Sequence, residues 1–473
     1  MKLLKALLKF LPFCACALFA ADKKPNFIII LADDQGYADL GVFGAKDIET
    51  PCIDALAKDS VIARSFYTST VCTPARAALQ TGKYHAYVKQ VGLKSSVYFP
   101  SDEGGMSPEE ITIAETLKPQ GYKTALIGKW HLGCTKEYLP VNQGYDYFYG
   151  LPYSNDMWLF KNPKYAKDLK ITNGMSFEQI RALEGNKDRG KAEHIVPLMR
   201  GDEVIEVPAV QATLTERYFD EAIKFITQAE NDKAAFYVCI TPNMPHVPLY
   251  ASEKFAGKSK RGAYGDVIQE LDYNVGRLIS ALKEKGLYEN TVIIYTSDNG
   301  PWLFKKQDGG SATPLRNGKG SLFEGGVRVP CIIHLPSALG GKPFDTSEII
   351  ATIDILPTFA RLAGAQVPQA SNGLDLTDFL KGKVAQSPRK EFLYFSAGNK
   401  ISGMRLQNFK VLFEKPDYGY AQEQSTPAQK GQTPPFLFDL KRDIGENDNL
   451  AKADPAKKTE LEAAAKTAAK EHE

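Results

Sequence analysis

The sequence predicts an α/β fold, a sandwich around a large and mostly parallel central sheet, with a smaller antiparallel unit at its C-terminal end. Three observations predict it. Continuous apolar, β-rich runs recur along the chain, and each ends at once in polar, chemically capable residues. Patterns of helical period lie between those runs, as crossover connections of a parallel sheet require. Beyond about residue 385 the pattern changes to short strands separated by turns.

The first run, NFIIILADD (residues 26–34), suits a central strand covered on both faces, with its two acids at the carboxyl edge. TALIGKWHLG (124–133), AAFYVCITPNMPH (234–246) and TVIIYTSDNG (291–300) repeat the design. SPEEITIAETLKPQG, TERYFDEAIKFITQAEN and GDVIQELDYNVGRLISALKEKG read as the intervening helices. In such sheets a site lies beyond the carboxyl ends of the strands, so all four ends point functional groups at one crevice. EFLYFSAG, GMRLQNFKVLFE and PFLFDLKRD then read as short antiparallel strands. YGYAQEQSTPAQKGQTPP between them reads as a polar, mobile loop, and KADPAKKTELEAAAKTAAKEHE as a helix with a weak apolar face. These readings divide the chain into 21–385, the large domain that carries the crevice, and 386–473, a C-terminal subdomain.

Residues 1–20 read as a secretory signal peptide. Lys2, Lys5 and Lys9 punctuate an apolar stretch that gives way to ADKKPN, and that stretch is too short for a stable membrane span. Cys14 and Cys16 raise a lipoprotein signal as an alternative, but neither follows a convincing lipobox. Cleavage near Ala20 removes three lysines and no acids, taking the formal charge from +2 to −1. The expected location is therefore periplasmic or extracellular. With 43% hydrophobic and 24% charged residues and no basic stripe, the chain reads as globular and not as a nucleic-acid binder. Beyond the leader stand Cys52, Cys72, Cys134, Cys239 and Cys331, an odd number without metal-binding spacing. Cys72 is the candidate for an unpaired or modified thiol, and the other four are expected to be small buried hydrophobes.

The chemistry starts with the acids. Asp33 and Asp34 end one strand, and Asp298 with Asn299 ends another. Three carboxylates and an amide oxygen make a hard, all-oxygen site suited to calcium and less well to magnesium. Either pair alone would more often be turn or cap residues; two pairs at two strand ends weaken that reading. Next comes CTPARAALQTGKY, which sets Cys72 at the start of a helix with Pro74 in its first turn, where anions are favoured. A lone cysteine is more often structural, but this segment resembles the signature of the formylglycine-dependent sulfatases, Cys-x-Pro-Ser/Ala-Arg followed by x-x-Leu-x-Thr-Gly.

The resemblance spans nearly the whole mature chain. GKWHLG (128–133) is similar to the second family signature, and NFIIILADDQGYADLGVFG, GYDYFYGLPYSNDM, TPNMPHVPLYASEKF, SDNGPW and GGSATPLRNGKGSLFEGGVRVP follow in the family's order. The combination looks most like the arylsulfatase A and N-acetylgalactosamine-6-sulfatase branch. It implies an alkaline-phosphatase-like sandwich, one calcium per chain, and oxidation of Cys72 to formylglycine by a maturation enzyme. Carried over, the metal ligands are Asp33, Asp34, Asp298, Asn299 and an oxygen of the modified Cys72. Arg76 holds the formylglycine hydrate; Lys129 contacts hydrate and sulfate; His131 is the base that later breaks the hemiacetal. His246 and Lys319 grip the sulfate and help protonate the leaving oxygen, and Ser154 contacts substrate. Lys129 and His131 stand two apart, so an extended strand through GKWHLG turns both to one side. The implied activity is hydrolysis of sulfate monoesters, on a sulfated small molecule or glycan. Two alternatives stay open: a phosphonate or phosphate ester hydrolase on the same scaffold, and a sulfated-glycan-binding protein whose Cys72 is never modified.

Overall fold

The computed structural model describes residues 24–186, 194–396, 399–415 and 429–472. The leader reading for 1–20, most of the polar loop after residue 415 and residues 187–193 lie outside the described residues. Eleven strands among the described residues form one sheet. Its centre is the parallel set Thr291–Ser297, Asn26–Ala32, Phe236–Thr241 and Lys123–Gly128, the four apolar runs in adjacent positions. Phe27 to Ile30 and Tyr237 to Ile240 are fully buried, as strands covered on both faces must be. Antiparallel strands join on both flanks, including Cys331–His334 beside Thr291–Ser297, so the sheet is mixed toward its edges.

The helices form two layers. Leu214–Asn231, Ala263–Glu284 and Pro51–Lys58 pack together in one. Cys72–Thr81, Ile113–Leu117 and Ile355–Ala363 pack together in the other, where Phe359 stacks on Phe27 at 4.2 Å between ring centroids. The helix expected over SPEEITIAETLKPQG is shorter than its apolar pattern suggests. Thr112 closes a capping box with Glu115, so the helix begins only at Ile113 and passes into a 3-10 turn at Lys118–Gln120.

The C-terminal segment forms a separate four-stranded antiparallel sheet from Glu391–Phe395, Ile401–Leu406, Phe409–Leu412 and Phe436–Asp439. The Pro455–His472 helix packs across it through a narrow stripe, Leu461, Ala465 and Ala468. A short three-stranded sheet of Arg328–Val329, Phe66–Tyr67 and Ile350–Ala351 stands between this unit and the main sheet. Among the described residues all five cysteines are free thiols; Cys134, Cys239 and Cys331 are buried as expected, but Cys52 is only half-buried.

Candidate active site

Register brings the acids together. Ala32 pairs with Ser297 at the last rung of two parallel strands, so Asp33 and Asp298 leave the sheet side by side. The Asp298 amide donates to Ala32 O (3.1 Å) and the Asp34 amide to Asp298 Oδ1 (3.1 Å), which stitches the two turns into one unit. Asp34 pays out of the strand at φ 66, a left-handed conformation that turns its carboxylate back toward its neighbours.

The Cys72–Thr81 helix supplies the next pair. Val71 enters it extended, no acid occupies the first turn, and Gly82 closes it at φ 65. No acid of its own first turn offsets the positive end where Cys72 begins. Cys72 and Arg76 stand one turn apart on the same face. The Cys72 thiol reaches Asp33 Oδ1 at 3.4 Å and Asp34 Oδ1 at 3.9 Å. Arg76 donates through Nε and Nη2 to Asp298 Oδ2 (3.0 and 2.8 Å) and through Nη1 to Lys129 O (2.7 Å).

The expectation of an extended GKWHLG needs correction. The strand stops at Gly128, which sits at φ 122; a Cβ there would lie 2.1 Å from Thr241 O, so only glycine fits. His131 follows in a left-handed conformation, φ 66. Irregular backbone with left-handed angles at Gly128 and His131, not strand alternation, carries Lys129 and His131 inward. Lys129 Nζ donates to Asp33 Oδ2 (2.7 Å) and Ser154 Oγ (3.2 Å). His131 Nε2 lies 3.0 Å from Tyr98 O, and Thr73 Oγ1 donates to His131 O (2.9 Å), while Nδ1 is buried without a hydrogen-bond partner. A carbonyl only accepts, so Nε2 carries the hydrogen and Nδ1 holds the free lone pair.

Lys319 reaches in from another loop, donating to Asp34 Oδ2 (2.7 Å) with Cys72 Sγ at 3.7 Å. His246 Nε2 stands 3.6 Å from Asp34 Oδ2 and 3.3 Å from Ser154 Oγ, while Nδ1 donates to Val247 O at 2.6 Å. All eleven residues singled out in the sequence thus meet in one buried centre. Thr73 and Tyr98, which fix His131, were not singled out; Thr73 stands inside the cysteine motif, whereas nothing in the sequence marks Tyr98.

The charges are matched one to one: Lys129 on Asp33, Lys319 on Asp34, Arg76 on Asp298, every side chain at most 4% exposed. Burial alone would raise the Asp33 carboxyl, but Lys129, His246 and Arg76 outweigh it and hold it down at about 2. Burial, with Asp298 close by, pushes the Cys72 thiol well above its ordinary value, so the unmodified side chain is a neutral thiol at neutral pH. Burial, helped by Lys129 and Arg76, pulls the His131 imidazole well below its usual value and keeps it neutral.

The donor set fits a hard divalent cation. Ligand atoms of Asp33, Asp34, Cys72 and Asp298 all lie within 4.8 Å of one another. Asn299 Nδ2 is engaged with Asp34 Oδ1 (2.7 Å), yet its Oδ1 is buried without a hydrogen-bond partner. An orphaned buried acceptor beside clustered carboxylates is what an oxygen-ligated cation would satisfy.

Comparison with known proteins finds relatives over nearly the whole described chain. The sulfatase family model matches residues 25–365, and the model for the C-terminal region of aryl-sulfatase matches residues 387–473. Human arylsulfatase A is 36% identical over 445 residues, covering 91% of this chain and 84% of that protein. Rat N-acetylgalactosamine-6-sulfatase is 31% identical over 401 residues, covering 83% of this chain and 72% of that one. Among solved structures, the PsFucS1 sulfatase of Pseudoalteromonas sp. superposes with a TM-score of 0.74 at 28% identity, covering 94% of this chain and 89% of the other.

Proposed function

On the premise that this chain belongs to the sulfatase family and is a sulfuric ester hydrolase with the alkaline-phosphatase-like fold, we propose that it cleaves sulfate monoesters at Cys72 after that residue is oxidised to formylglycine, with one calcium ion bound beside it. The observation that carries this reading is the position of Cys72 Sγ, in reach of Asp33, Asp34 and Lys319 at the positive end of a buried helix.

Asp33, Asp34, Asp298 and Asn299 Oδ1 would hold the calcium, together with an oxygen of the modified side chain. When loaded, the centre would supply Lewis acidity and a nucleophilic geminal diol. The chain's own residues do the rest. Arg76, fixed by three hydrogen bonds, orients the modified side chain. Lys129, Lys319 and Ser154 Oγ bind the nonbridging sulfate oxygens as preorganised donors in a water-poor site. His246, oriented by the Nδ1 bond to Val247 O, turns Nε2 toward Asp34 and Ser154, on the side from which the departing oxygen would receive its proton. His131 Nδ1, neutral and unpartnered, takes the proton that must leave before sulfate is expelled.

We assign residues 21–385 to the catalytic domain and 386–473 to a C-terminal subdomain, and place the working enzyme outside the cytoplasm after cleavage of 1–20. No helix among the described residues is long and apolar enough to cross a membrane. The substrate is a sulfated small molecule or glycan. Two measurements on purified active protein test the reading: peptide mass spectrometry across Cys72, and hydrolysis of 4-nitrophenyl sulfate against 4-nitrophenyl phosphate. The expected result is an aldehyde at Cys72, turnover favouring the sulfate ester, and loss of turnover in a folded Cys72→Ala variant. Full activity with only thiol at Cys72 would overturn the mechanism.

A further inference from the structure

Arg405, on the Ile401–Leu406 strand of the C-terminal sheet, is only 5% exposed. Its Nη1 donates to the Tyr67 hydroxyl and its Nε to Gln407 O at 2.8 Å. Tyr67 in turn donates to Glu324, so Arg405 reaches that carboxylate only through a phenol. Among the described residues no carboxylate lies at ion-pair distance from Arg405, and its Nη2 has no hydrogen-bond partner. Burying a charge is costly unless it is paired, so a buried guanidinium without an anion of its own calls for an explanation.

The buried cluster behind Arg405 does not supply the missing charge. Glu324 and Glu446 are its carboxylates; Lys410, Arg328 and Arg405 are its cations. Even with both acids ionised, one positive charge is left over. Lys410 and Arg328 meet Glu324 directly, at 2.9 and 3.3 Å, which leaves Arg405 as the member without a partner.

Arg405 also lines an open cavity of about 280 Å³, where the C-terminal sheet meets the segment that leads into the Ile350–Ala351 strand. Ser347, Glu348, Arg389, Lys390 and Gln407 are among the other residues lining it. Not all of their charge is available. Arg389 is committed to Asp354 (2.6 and 2.8 Å) and to Asn372 O (3.0 Å). Glu348 accepts from the Ser387 amide at 3.1 Å and stands 3.8 Å from Lys390 Nζ, a loose pair. Lys390 Nζ donates only to Gln386 Oε1, at 3.0 Å, and its side chain is half-exposed. Gln407 sets the two remaining cations beside each other. Its carbonyl holds Arg405 Nε, and its amide, at a left-handed φ of 51, donates to Lys390 O at 2.9 Å.

We infer that this cavity is a second anion site, apart from the active centre, and that it binds a sulfate group between Arg405 and Lys390. A guanidinium edge with an ammonium beside it suits an oxyanion that offers several acceptor oxygens at once. Sulfate is the oxyanion that a sulfuric ester hydrolase meets in two forms, as the ion it releases and as the ester groups of its substrates. Arg405 and Lys390 belong to the C-terminal unit and Ser347 to the chain before it, so an ion held among them braces one against the other. The site does not depend on oxidation of Cys72, and protein carrying the thiol serves for its test.

Isothermal titration and thermal melts of the full-length protein with sodium sulfate, against sodium chloride at equal ionic strength, test this. We expect sulfate to bind and to raise the melting midpoint beyond the effect of chloride. Lys319→Ala, which weakens the anion hold of the active centre, should leave this binding in place. Lys390→Ala should weaken it about tenfold and Arg405→Gln at least as much, as loss of a charge-assisted hydrogen bond does, whereas Lys390→Arg should retain it. Lys390 is half-exposed, so its variants decide the matter even if Arg405→Gln fails to fold. A sulfated oligosaccharide that binds more tightly than inorganic sulfate and displaces it identifies ester groups as the ligand; tighter binding of the inorganic ion identifies the released product. Either result supports the site. Sulfate binding that vanishes in Lys319→Ala, or that is unmoved in Lys390→Ala, would overturn it.

Discussion

Lys410, on the Phe409–Leu412 strand of the C-terminal sheet, donates a 2.9 Å hydrogen bond to Glu324, the first residue of the short helix that ends the loop carrying Lys319, and neither side chain is exposed. Lys410 also lies 2.8 Å from Glu446 Oε1, and Glu446 Oε2 accepts from the Glu324 amide at 2.7 Å. Two buried carboxylates therefore share one ammonium, with Tyr67, Tyr394 and Arg328 completing the shell of Glu324. The C-terminal unit is thereby fastened to the base of an active-site loop by charge as well as by apolar contact.

This cluster predicts a pH dependence of stability. Burial, with Glu324 nearby, lifts the Glu446 carboxyl to about 7, although Lys410 opposes the rise. Its contribution is present below the ordinary glutamate value and is lost as pH rises through about 7. Glu324 behaves oppositely: burial would raise it, but Lys410 and Arg328 hold it at about 2, so its contribution is lost only as pH falls below the ordinary value. Between pH 5 and 8 the wild type should lose roughly 1–3 kcal/mol that Glu446→Gln does not lose. Thermal melts of both proteins across that range check it; parallel curves would refute the assignment.

Arg76→Lys should be far from conservative. A single ammonium cannot reproduce the paired contact with Asp298 and the bond to Lys129 O at once. We expect kcat/KM on an aryl sulfate to fall at least ~100-fold, with a lower melting midpoint from a buried pair left poorly satisfied.

Calcium should stabilise the protein independently of turnover. At a calcium concentration of 100 Kd the gain is about 2.7 kcal/mol, read as a rise in melting midpoint that EDTA reverses. Asn299→Ala removes the orphaned Oδ1 and should shrink that shift. An undiminished shift in Asn299→Ala would show that the ion binds elsewhere.

Gly128→Ala tests the backbone path that delivers Lys129. The added methyl group meets Thr241 O at 2.1 Å at a backbone angle of φ 122, so we expect at least ~2 kcal/mol of destabilisation in denaturant titrations, with activity falling alongside.

Much of this was legible in the sequence, for reasons that particular residues make plain. The run from Asn26 to Ala32 announces a doubly covered strand because every position is apolar after the first, and Asp33 ends it where polar groups can face the crevice. The C-terminal strands were readable from their turns. Cys72 and Arg76 were readable together because helical spacing fixes them on one face. The path at GKWHLG was not, since alternation of Lys129 and His131 mimics a strand and the left-handed Gly128 shows only once Thr241 O is seen against it. Glu324, Lys410 and Glu446 were passed over because their meaning lies wholly in long-range pairing: singly, each looks like a solvated surface charge. Cys52 was expected to be buried and is half-buried, at the start of the Pro51–Lys58 helix, where its amide donates to the buried Asp272 carboxylate at 3.2 Å.

The one-to-one matching of Lys129, Lys319 and Arg76 with Asp33, Asp34 and Asp298 has a consequence for how the centre is filled. A chain that folds empty is already neutral there, so it can reach its final shape before any ion or oxidation arrives. A dication entering among the carboxylates would take over the partners of both lysines and release their ammonium groups toward an incoming anion. By thermodynamic linkage the anion must then tighten the hold on the metal by the same factor. Cation and sulfate bind as cooperative ligands of one another, and each should appear in titrations as the other's activator.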